Sequence, residues 1–245
     1  MQLRRIATAF RNHDWATATV EFVIVVAGIF VGLQVDSWNT ERTDRIREQV
    51  ILKQLQSDFA TNEASIGPYI ARHEQMVEGL GFALEALTRG ELAKTDTLRF
   101  RNAFISMYQL PSISATMGGY DALISTGDLA LITDQELKSK LVQLSSMLDA
   151  EMSLTNYFRD LNQLNMELTR DVVLLVPNDE RTNTRLQVDF DVIKTDYRML
   201  TVVADQRRKH QIIGAARRGL ADGFSEAAAH IETLIKRPDS SSPVP

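Results

Sequence analysis

The sequence predicts an all-α fold, in which one N-terminal transmembrane helix continues into a soluble domain built as an antiparallel helical bundle. Two observations carry this prediction. The chain has a single apolar run long enough to cross a bilayer, and the strong periodic patterns after it have helical spacing. The predicted regions are a basic amphipathic segment (1–14), the transmembrane helix (15–36), a helical extracytoplasmic domain (37–237) and a disordered Ser- and Pro-rich tail (238–245).

The apolar run from Trp15 to Val35 predicts the transmembrane helix. Twelve of its residues, from Phe22 to Leu33, carry no polar side chain. A helix of 21 residues spans about 31 Å, which matches the roughly 30 Å of a bilayer core. The two tryptophans of the chain, Trp15 and Trp38, flank the run and are predicted as interfacial anchors. The lipid bilayer is therefore the first expected partner.

The flanking charges favour a cytoplasmic N-terminus and an extracytoplasmic main domain. Three arginines precede the run and three follow it closely, so the basic residues alone decide nothing. Acidic residues break the tie, because four of them crowd the trailing side. A signal peptide cleaved near Val35 and Ser37 is the alternative, although Asp36 and Trp38 argue against cleavage.

Composition excludes several classes of function. The chain has no cysteine, so disulfides, thiolate metal sites and cysteine catalysis are absent. Its 27 basic and 32 acidic residues give a net charge of −5, which gives no reason to expect nucleic acid as a partner.

The first half of the soluble domain predicts three helices. The first covers Ser37–Asn62 and ends before a break at Pro68. The second carries apolar residues from Tyr69 to Leu87 at helical spacing and stops at Gly90. The third runs from about Asp96 to Tyr108, and a loop follows it at Pro111–Gly119.

The second half begins with a short amphipathic turn at Tyr120–Ile124 that Gly127 closes. Thr133 and Glu136 form a capping-box pattern that opens a long helix. Its predicted buried stripe comprises Leu137, Leu141, Leu144, Leu148, Met152, Thr155, Phe158, Asn165 and Leu168. A polar connection at Pro177–Thr184 leads to an alternating segment, Leu186–Val192, which we interpret as extended loop because it lacks a partner strand.

The last helix is predicted to cover Asp196–Arg237. Its expected buried line comprises Val203, Ile213, Ala216, Leu220, Ala227, Ile231 and Leu234. We expect it to pack antiparallel to the helix Ser37–Asn62, since both are long and carry complementary apolar stripes.

Two stretches resemble a family of uncharacterised bacterial single-pass membrane proteins, a domain of unknown function. The first, EFVIVVAGIFVGLQVDSWNTER at 21–42, resembles the family's helix with an early glutamate and a Leu-Gln-x-x-x-Trp-Asn-x-x-Arg exit. The second, YDALISTGDLALITDQEL at 120–137, resembles its Leu-x-x-Ser-Gly-x-Leu-x-x-Ile pattern. Departures are Val20, where the family often has glycine, and the inserted Thr126. The resemblance implies the topology and a bacterial inner membrane, but no activity.

One face of the predicted transmembrane helix is a candidate packing surface. It carries Glu21, Val25, Gly28, Gly32 and Val35. The glycine pair permits close approach of a second helix, and a membrane carboxylate needs a hydrogen-bond or proton partner. We expect a homo-oligomer or contact with another membrane protein. The alternatives are a lipid-exposed helix in which glycine is merely common, and a proton-conducting role for Glu21.

No catalytic, cofactor or metal site is predicted. The histidines His13, His73, His210 and His230 have no metal-ligand spacing, and no phosphate loop or nucleophile motif is present. A basic run on the last helix is interpreted as a solvated face, with anionic lipid or an acidic partner as the alternative; it comprises Arg207, Arg208, Lys209, Arg217 and Arg218.

Three classes of function remain open. The first is a membrane-anchored interaction or scaffold module. The second is a ligand-sensing extracytoplasmic domain that signals through a partner membrane protein, and an enzyme is third. A closed interior favours the first class, whereas a pocket with converging polar groups favours the second.

Overall fold

The computed structural model describes residues 15–170, 172–177 and 184–237, and it confirms the all-α class for them. The helices are α1 (Trp15–Arg89), α2 (Thr97–Ser106), α3 (Gly118–Thr126), α4 (Gln135–Thr169), α5 (Phe190–Ile193) and α6 (Tyr197–Lys236). Short 3-10 turns cover Lys94–Asp96 and Asp128–Leu131. The strands are β1 (Val173–Pro177) and β2 (Thr184–Val188). The chain divides into an N-terminal unit, Met1–Ile51, and a helical unit, Leu52–Pro245.

The N-terminal unit contains the apolar beginning of α1. This helix includes a stretch long and apolar enough to cross a membrane, and none of that stretch is buried by the rest of the chain. Phe22 is 68% exposed and Phe30 is 64% exposed. The predicted basic segment 1–14 lies outside the described residues.

The predicted helix break at Pro68 is wrong, because α1 runs without interruption through it. Proline removes one backbone donor and disfavours helical geometry at the residue before it. That preceding residue is Gly67, which has no Cβ to clash with the proline ring. The helix then ends where the sequence predicted, at a left-handed Gly90 with φ +71°. Its N–H donates to the carbonyl of Ala86 at 3.0 Å.

Three long helices form the frame of the helical unit. Phe59 on α1 contacts Phe224 on α6, and farther along α1 His73 contacts His210. Contact positions therefore rise on α1 as they fall on α6, so the two helices pack antiparallel. The prediction placed this pairing over Ser37–Asn62, but of the two α1 contacts only Phe59 lies in that range. Helix α4 is antiparallel to α6 as well, since Asp134 meets His230 at one end and Asn162 meets Gln206 at the other.

An apolar cluster fills one end of this frame. Phe100 and Phe104 on α2 pack with ring centroids 4.8 Å apart, and Phe190 meets Phe100 edge-on at 5.2 Å. The other buried members are Leu80, Ala83, Ala86, Leu87, Ala103, Met107, Ile193, Met199, Val202 and Val203. The cluster joins α1, α2 and α6, so its burial stabilises their mutual packing.

The extended-loop interpretation of Leu186–Val192 is wrong. Residues up to Val188 form β2, which pairs antiparallel with β1 from Val173↔Val188 to Pro177↔Thr184. The rest of the segment enters α5. The partner strand is a continuous apolar run, which period-two counting cannot recognise. Most of the predicted polar connection, residues 178–183, lies outside the described residues, as does the predicted tail at 238–245.

The start of α4 differs by one residue from the predicted capping box. Asp134, not Thr133, is the N-cap, and its carboxylate accepts from the N–H of Leu137 at 2.8 Å. The same carboxylate contacts Nε2 of His230 at 3.0 Å. This contact with α6 favours Asp134 over the neighbouring threonine as the cap.

Candidate functional site

Four ionisable side chains lie buried where α1, α4 and α6 meet. They are His73, Glu151, His210 and Arg217, with exposures of 1%, 3%, 0% and 0%. We call them the arginine–histidine cluster. Such residues are seldom fully buried unless they are paired, so their partners decide what the cluster can do.

The cluster corrects two expectations. The basic run on α6 is not uniformly solvated, since Arg217 and Lys209 are buried. In the predicted stripe of α4, Met152 is 52% exposed and Leu168 is 47% exposed, and Glu151 is buried in place of its neighbour Met152. A glutamate can replace an apolar residue at this inward position because an arginine on the facing helix neutralises it.

Arg217 is the centre of the cluster. Its Nε donates to Glu151 Oε1 at 2.8 Å, and its Nη2 donates to the carbonyl of Pro111 at 2.6 Å. Its Nη1 lies 2.9 Å from His73 Nε2, and its Cζ lies 5.5 Å from the ring centre of Tyr69. One guanidinium thus ties α6 to α1, to α4 and to the loop between α2 and α3.

The two histidines continue this chain of hydrogen bonds. His73 Nδ1 and His210 Nδ1 are 2.9 Å apart, and His210 Nε2 lies 2.9 Å from the carbonyl oxygen of Met107. A carbonyl only accepts, so His210 Nε2 carries a hydrogen, and in the neutral ring its Nδ1 then accepts. His73 Nδ1 must therefore donate, which leaves His73 Nε2 to accept from Arg217. The partners fix one tautomer for each neutral ring.

Electrostatics favour the neutral form of both rings. Burial, followed by electrostatic interactions with Arg217, His210 and Arg72, lowers the pKa of His73 from 6.5 to about 3. Burial also lowers the pKa of His210, and Arg217 and Lys209 add to this effect, while its hydrogen bond to Met107 opposes it. The tautomer assignment and the direction of both pKa shifts therefore agree.

A second polar group lies beside the cluster, toward the end of α4. Asn162 Oδ1 accepts from Gln206 Nε2 at 2.9 Å and from Lys209 Nζ at 3.2 Å. Lys209 also pairs with Asp205 at 2.7 Å, and Asp205 accepts from Asn165 at 3.1 Å. These contacts join α4 to α6 by polar bonds, in the stretch of the predicted buried stripe that contains Asn165.

The α2–α3 loop, residues 107–117, is held mainly by side chains. His210 and Arg217 bind the carbonyls of Met107 and Pro111. Arg159 on α4 donates to the carbonyl of Leu110 at 2.9 Å. Asn62 on α1 makes two hydrogen bonds with the backbone of Thr116. The loop is therefore fixed by all three long helices.

A surface groove of about 560 Å³ lies between α1 and α6 and reaches His73 and His210. The charged side chains that line the groove are largely paired with each other, since Arg99 contacts Glu78 at 2.8 Å and Arg218 contacts Glu74. Arg207 Nε donates to the carbonyl of Val77 at 3.3 Å. The groove is thus a polar cleft with internally balanced charge.

The residues of the predicted membrane packing face lie on α1. The structure shows no packing of this face against another described element. Glu21 is exposed and Val25 is 59% exposed. A Cβ added at Gly28 or Gly32 would meet no atom within 4 Å. Trp15 is the first residue of α1, and Trp38 is 63% exposed with the guanidinium of Arg42 5.9 Å from its ring centre.

Sequence reasoning missed the arginine–histidine cluster because its members are distant along the chain; Arg217 and His73, for instance, are 144 residues apart. A local signal existed on α6, where His210, Arg217 and Phe224 recur at seven-residue intervals and so share one face. Within the described ranges no group of three or more His, Asp or Glu side chains is arranged to hold a metal ion. The cluster's chemistry is hydrogen bonding and charge pairing between helices.

Comparison with known proteins gives no relative. No protein-family model matches the chain, and neither a curated protein nor a solved structure shows significant similarity to it. The resemblance to the uncharacterised membrane family therefore stays a prediction, and the case for function rests on the geometry described above.

Proposed function

We propose that the protein is a membrane-anchored, non-catalytic helical module that acts by association, with itself or with another membrane protein. The observation that carries this proposal is the complete exposure of the apolar stretch of α1, in contrast to the packed interior of the helical unit. Exposed phenylalanine, valine and isoleucine side chains over this length need an apolar environment that the chain itself does not supply.

The interior of the helical unit supports an association role. Its buried charged groups bind one another, and the most buried of them, Arg217, holds three other elements in place. A catalytic group needs access to a reacting molecule, whereas these groups are occupied by structural partners. The proposed orientation places the N-terminus in the cytoplasm and the helical unit in the periplasm of a bacterial inner membrane.

The proposed contact surface is the face of Glu21, Val25, Gly28 and Gly32. Open space around both glycines allows a second helix to approach the backbone closely. A carboxylate near the end of such a face favours a partner that shares a proton or a hydrogen bond with it. A second copy of the chain satisfies both needs.

The test is the oligomeric state of the full chain in lipid nanodiscs and mild detergent. The double variant Gly28→Ile with Gly32→Ile should insert normally but lose most of its cross-linked dimer, and Glu21→Ala should weaken the dimer. Ala27→Ile adds one isoleucine side chain away from this face and serves as the control. A wild-type protein that is monomeric and copurifies with no membrane partner would contradict the proposal.

Topology has a separate test. A reporter fused after Arg237 should be active only in a periplasmic format, and intact mass should retain residues 1–37. Loss of those residues would indicate a cleaved signal peptide instead.

The groove between α1 and α6 favours ligand sensing as the second candidate function, because clefts with converging polar groups are typical binding sites. Native mass spectrometry of protein released from nanodiscs separates the two proposals. A sensing role predicts a bound small molecule that Arg207→Ala releases. The association role predicts the mass of an oligomer of the chain, or of the chain with a partner protein, without a bound small molecule.

A further inference from the structure

The hydrogen-bond chain through His73 and His210 leaves no place for an additional proton. All four ring nitrogens are engaged: with Arg217, with each other, and with the carbonyl of Met107. We propose that this histidine pair is an acid-sensitive lock between α1 and α6, which opens when either ring takes up a proton.

Each possible protonation breaks a contact. A proton on His210 Nδ1 would face the hydrogen that His73 Nδ1 already donates, at a separation of 2.9 Å. A proton on His73 Nε2 would face the guanidinium of Arg217, also at 2.9 Å. Two donors facing each other repel, so the rings must separate before either becomes cationic. Both contacts join α1 to α6.

The surrounding charges do not stabilise a histidine cation. The charged or titratable groups facing the pair are Tyr69, Arg72 and Glu74 on α1, Glu151 on α4, and Lys209, Arg217 and Arg218 on α6; the α2–α3 loop contributes the carbonyls of Met107 and Pro111. The groove that reaches the pair is also lined by Glu78, Glu85, Arg99 and Arg207. The four carboxylates are already paired: Glu151 with Arg217, Glu74 with Arg218, Glu78 with Arg99 and Glu85 with Arg89. A new positive charge would therefore lie among cations.

Close packing makes the lock depend on separation of the helices. A Cβ on Gly214 would lie 3.3 Å from the Cβ of His73, so α6 approaches α1 closely at the position of the pair. Neither ring can rotate out to water while this approach is maintained, since both are buried. Proton uptake thus requires local opening of the α1–α6 contact.

The direction of the pH effect follows from linkage. In the opened state His73 has its ordinary pKa of 6.5, and in the closed state its pKa is about 3. Loss of a proton from His73 therefore adds no free energy to closure above pH 6.5. Below that pH this free-energy penalty on closure grows progressively until about pH 3. At pH 5, His73 alone should increase the opening equilibrium constant about 30-fold relative to pH 8. His210 adds to the same effect.

The first measurement is hydrogen exchange of the full chain in nanodiscs between pH 8 and pH 5, corrected for intrinsic exchange rates. Amides near His73 and His210 should open at least 30-fold more readily at pH 5, whereas amides at 137–148 of α4 should change much less. If the amides near His73 and His210 had the same opening constants at pH 8 and pH 5, the proposal would be overturned.

Variants give the second measurement. Glutamine can donate and accept but does not titrate, so His73→Gln with His210→Gln should reduce the acid effect to less than about threefold. His230→Gln is the matched control on α6, because His230 is partly exposed and pairs with Asp134. It should keep the full acid effect. A double variant as acid-sensitive as the wild type would contradict the lock.

A third measurement uses the wild-type protein and does not depend on the folding of any variant. Nitrogen-15 spectra of its histidines at pH 6 should show one neutral ring protonated at Nδ1 and one neutral ring protonated at Nε2, assigned to His73 and His210. A cationic ring at either position at pH 6 would refute the lock.

Discussion

Two regions inside the helical unit hold the same helices together by different chemistry. The apolar cluster around Phe100 and Phe104 joins α1, α2 and α6 by shape and burial. The arginine–histidine cluster joins α1, α4 and α6 by hydrogen bonds with fixed donors and acceptors. The first depends on how much volume is filled, and the second on every partner being present. Substitutions in the two regions should therefore fail in different ways.

The largest expected effect is the loss of Arg217. Arg217→Met leaves Glu151 as an unpaired buried carboxylate and removes the donor to His73, so unfolding should become easier by about 3–5 kcal/mol. Adding Glu151→Leu should restore part of this loss, because the unpaired charge is then removed. Urea unfolding of the full chain in detergent, followed by circular dichroism, measures Arg217→Met, Glu151→Leu and the double variant. Additive losses would show that the two side chains are not coupled.

The next largest effect should come from a cavity in the apolar cluster. Leu80 is 1% exposed, and Leu80→Ala should cost about 3 kcal/mol through lost burial and unfilled volume. Leu164 on α4 is 65% exposed, so Leu164→Ala is the matched control and should cost about 0.5 kcal/mol or less. The stability lost in Arg217→Met should be partly restored by a second substitution that removes a charge. The stability lost in Leu80→Ala should not be restored in this way. The same urea unfolding experiment measures the stability of Leu80→Ala and Leu164→Ala.

The smallest effect should come from an exposed pair with the same chemistry as the buried one. Arg99 and Glu78 join α2 to α1 at 2.8 Å, but their side chains are 50% and 75% exposed. Arg99→Met should cost about 1 kcal/mol or less, and high salt should reduce the difference from wild type. If Arg99→Met and Arg217→Met lost the same free energy of unfolding, burial would not explain the difference that we expect between the two ion pairs.

The elements that the sequence predicted well are those whose signals are local. The stop at Gly90, the short helix closed by Gly127 and most of the buried line of α6 follow from backbone freedom and helical spacing. Two members of that line, Ala216 and Leu234, are only half-buried. The prediction at Pro68 was wrong because a preceding glycine removes a clash that most residues would have. The pairing of β1 with β2 was missed because β1 has no alternation of apolar and polar residues.

The candidate site was beyond local reasoning for a different reason. Glu151, Lys209 and Arg217 read as surface residues when each is taken alone, since an unpaired charge belongs in water. Their burial depends on partners from other helices, which periodicity does not reveal. The predicted packing face at Glu21, Gly28 and Gly32 stays a prediction, because its partner would come from another helix.

The pairing of α1 with α6 has a consequence for synthesis. His73 leaves the ribosome 144 residues before Arg217, a delay of about 7–30 s at ordinary translation rates. During that time the inward faces of α1, α2 and α4 have no last helix to cover them, and the α2–α3 loop lacks two of its hydrogen-bond donors. The nascent chain must therefore pass through a stage in which its future interior is open to other apolar surfaces. Chaperone binding should be strongest at this stage and should end when the last helix arrives.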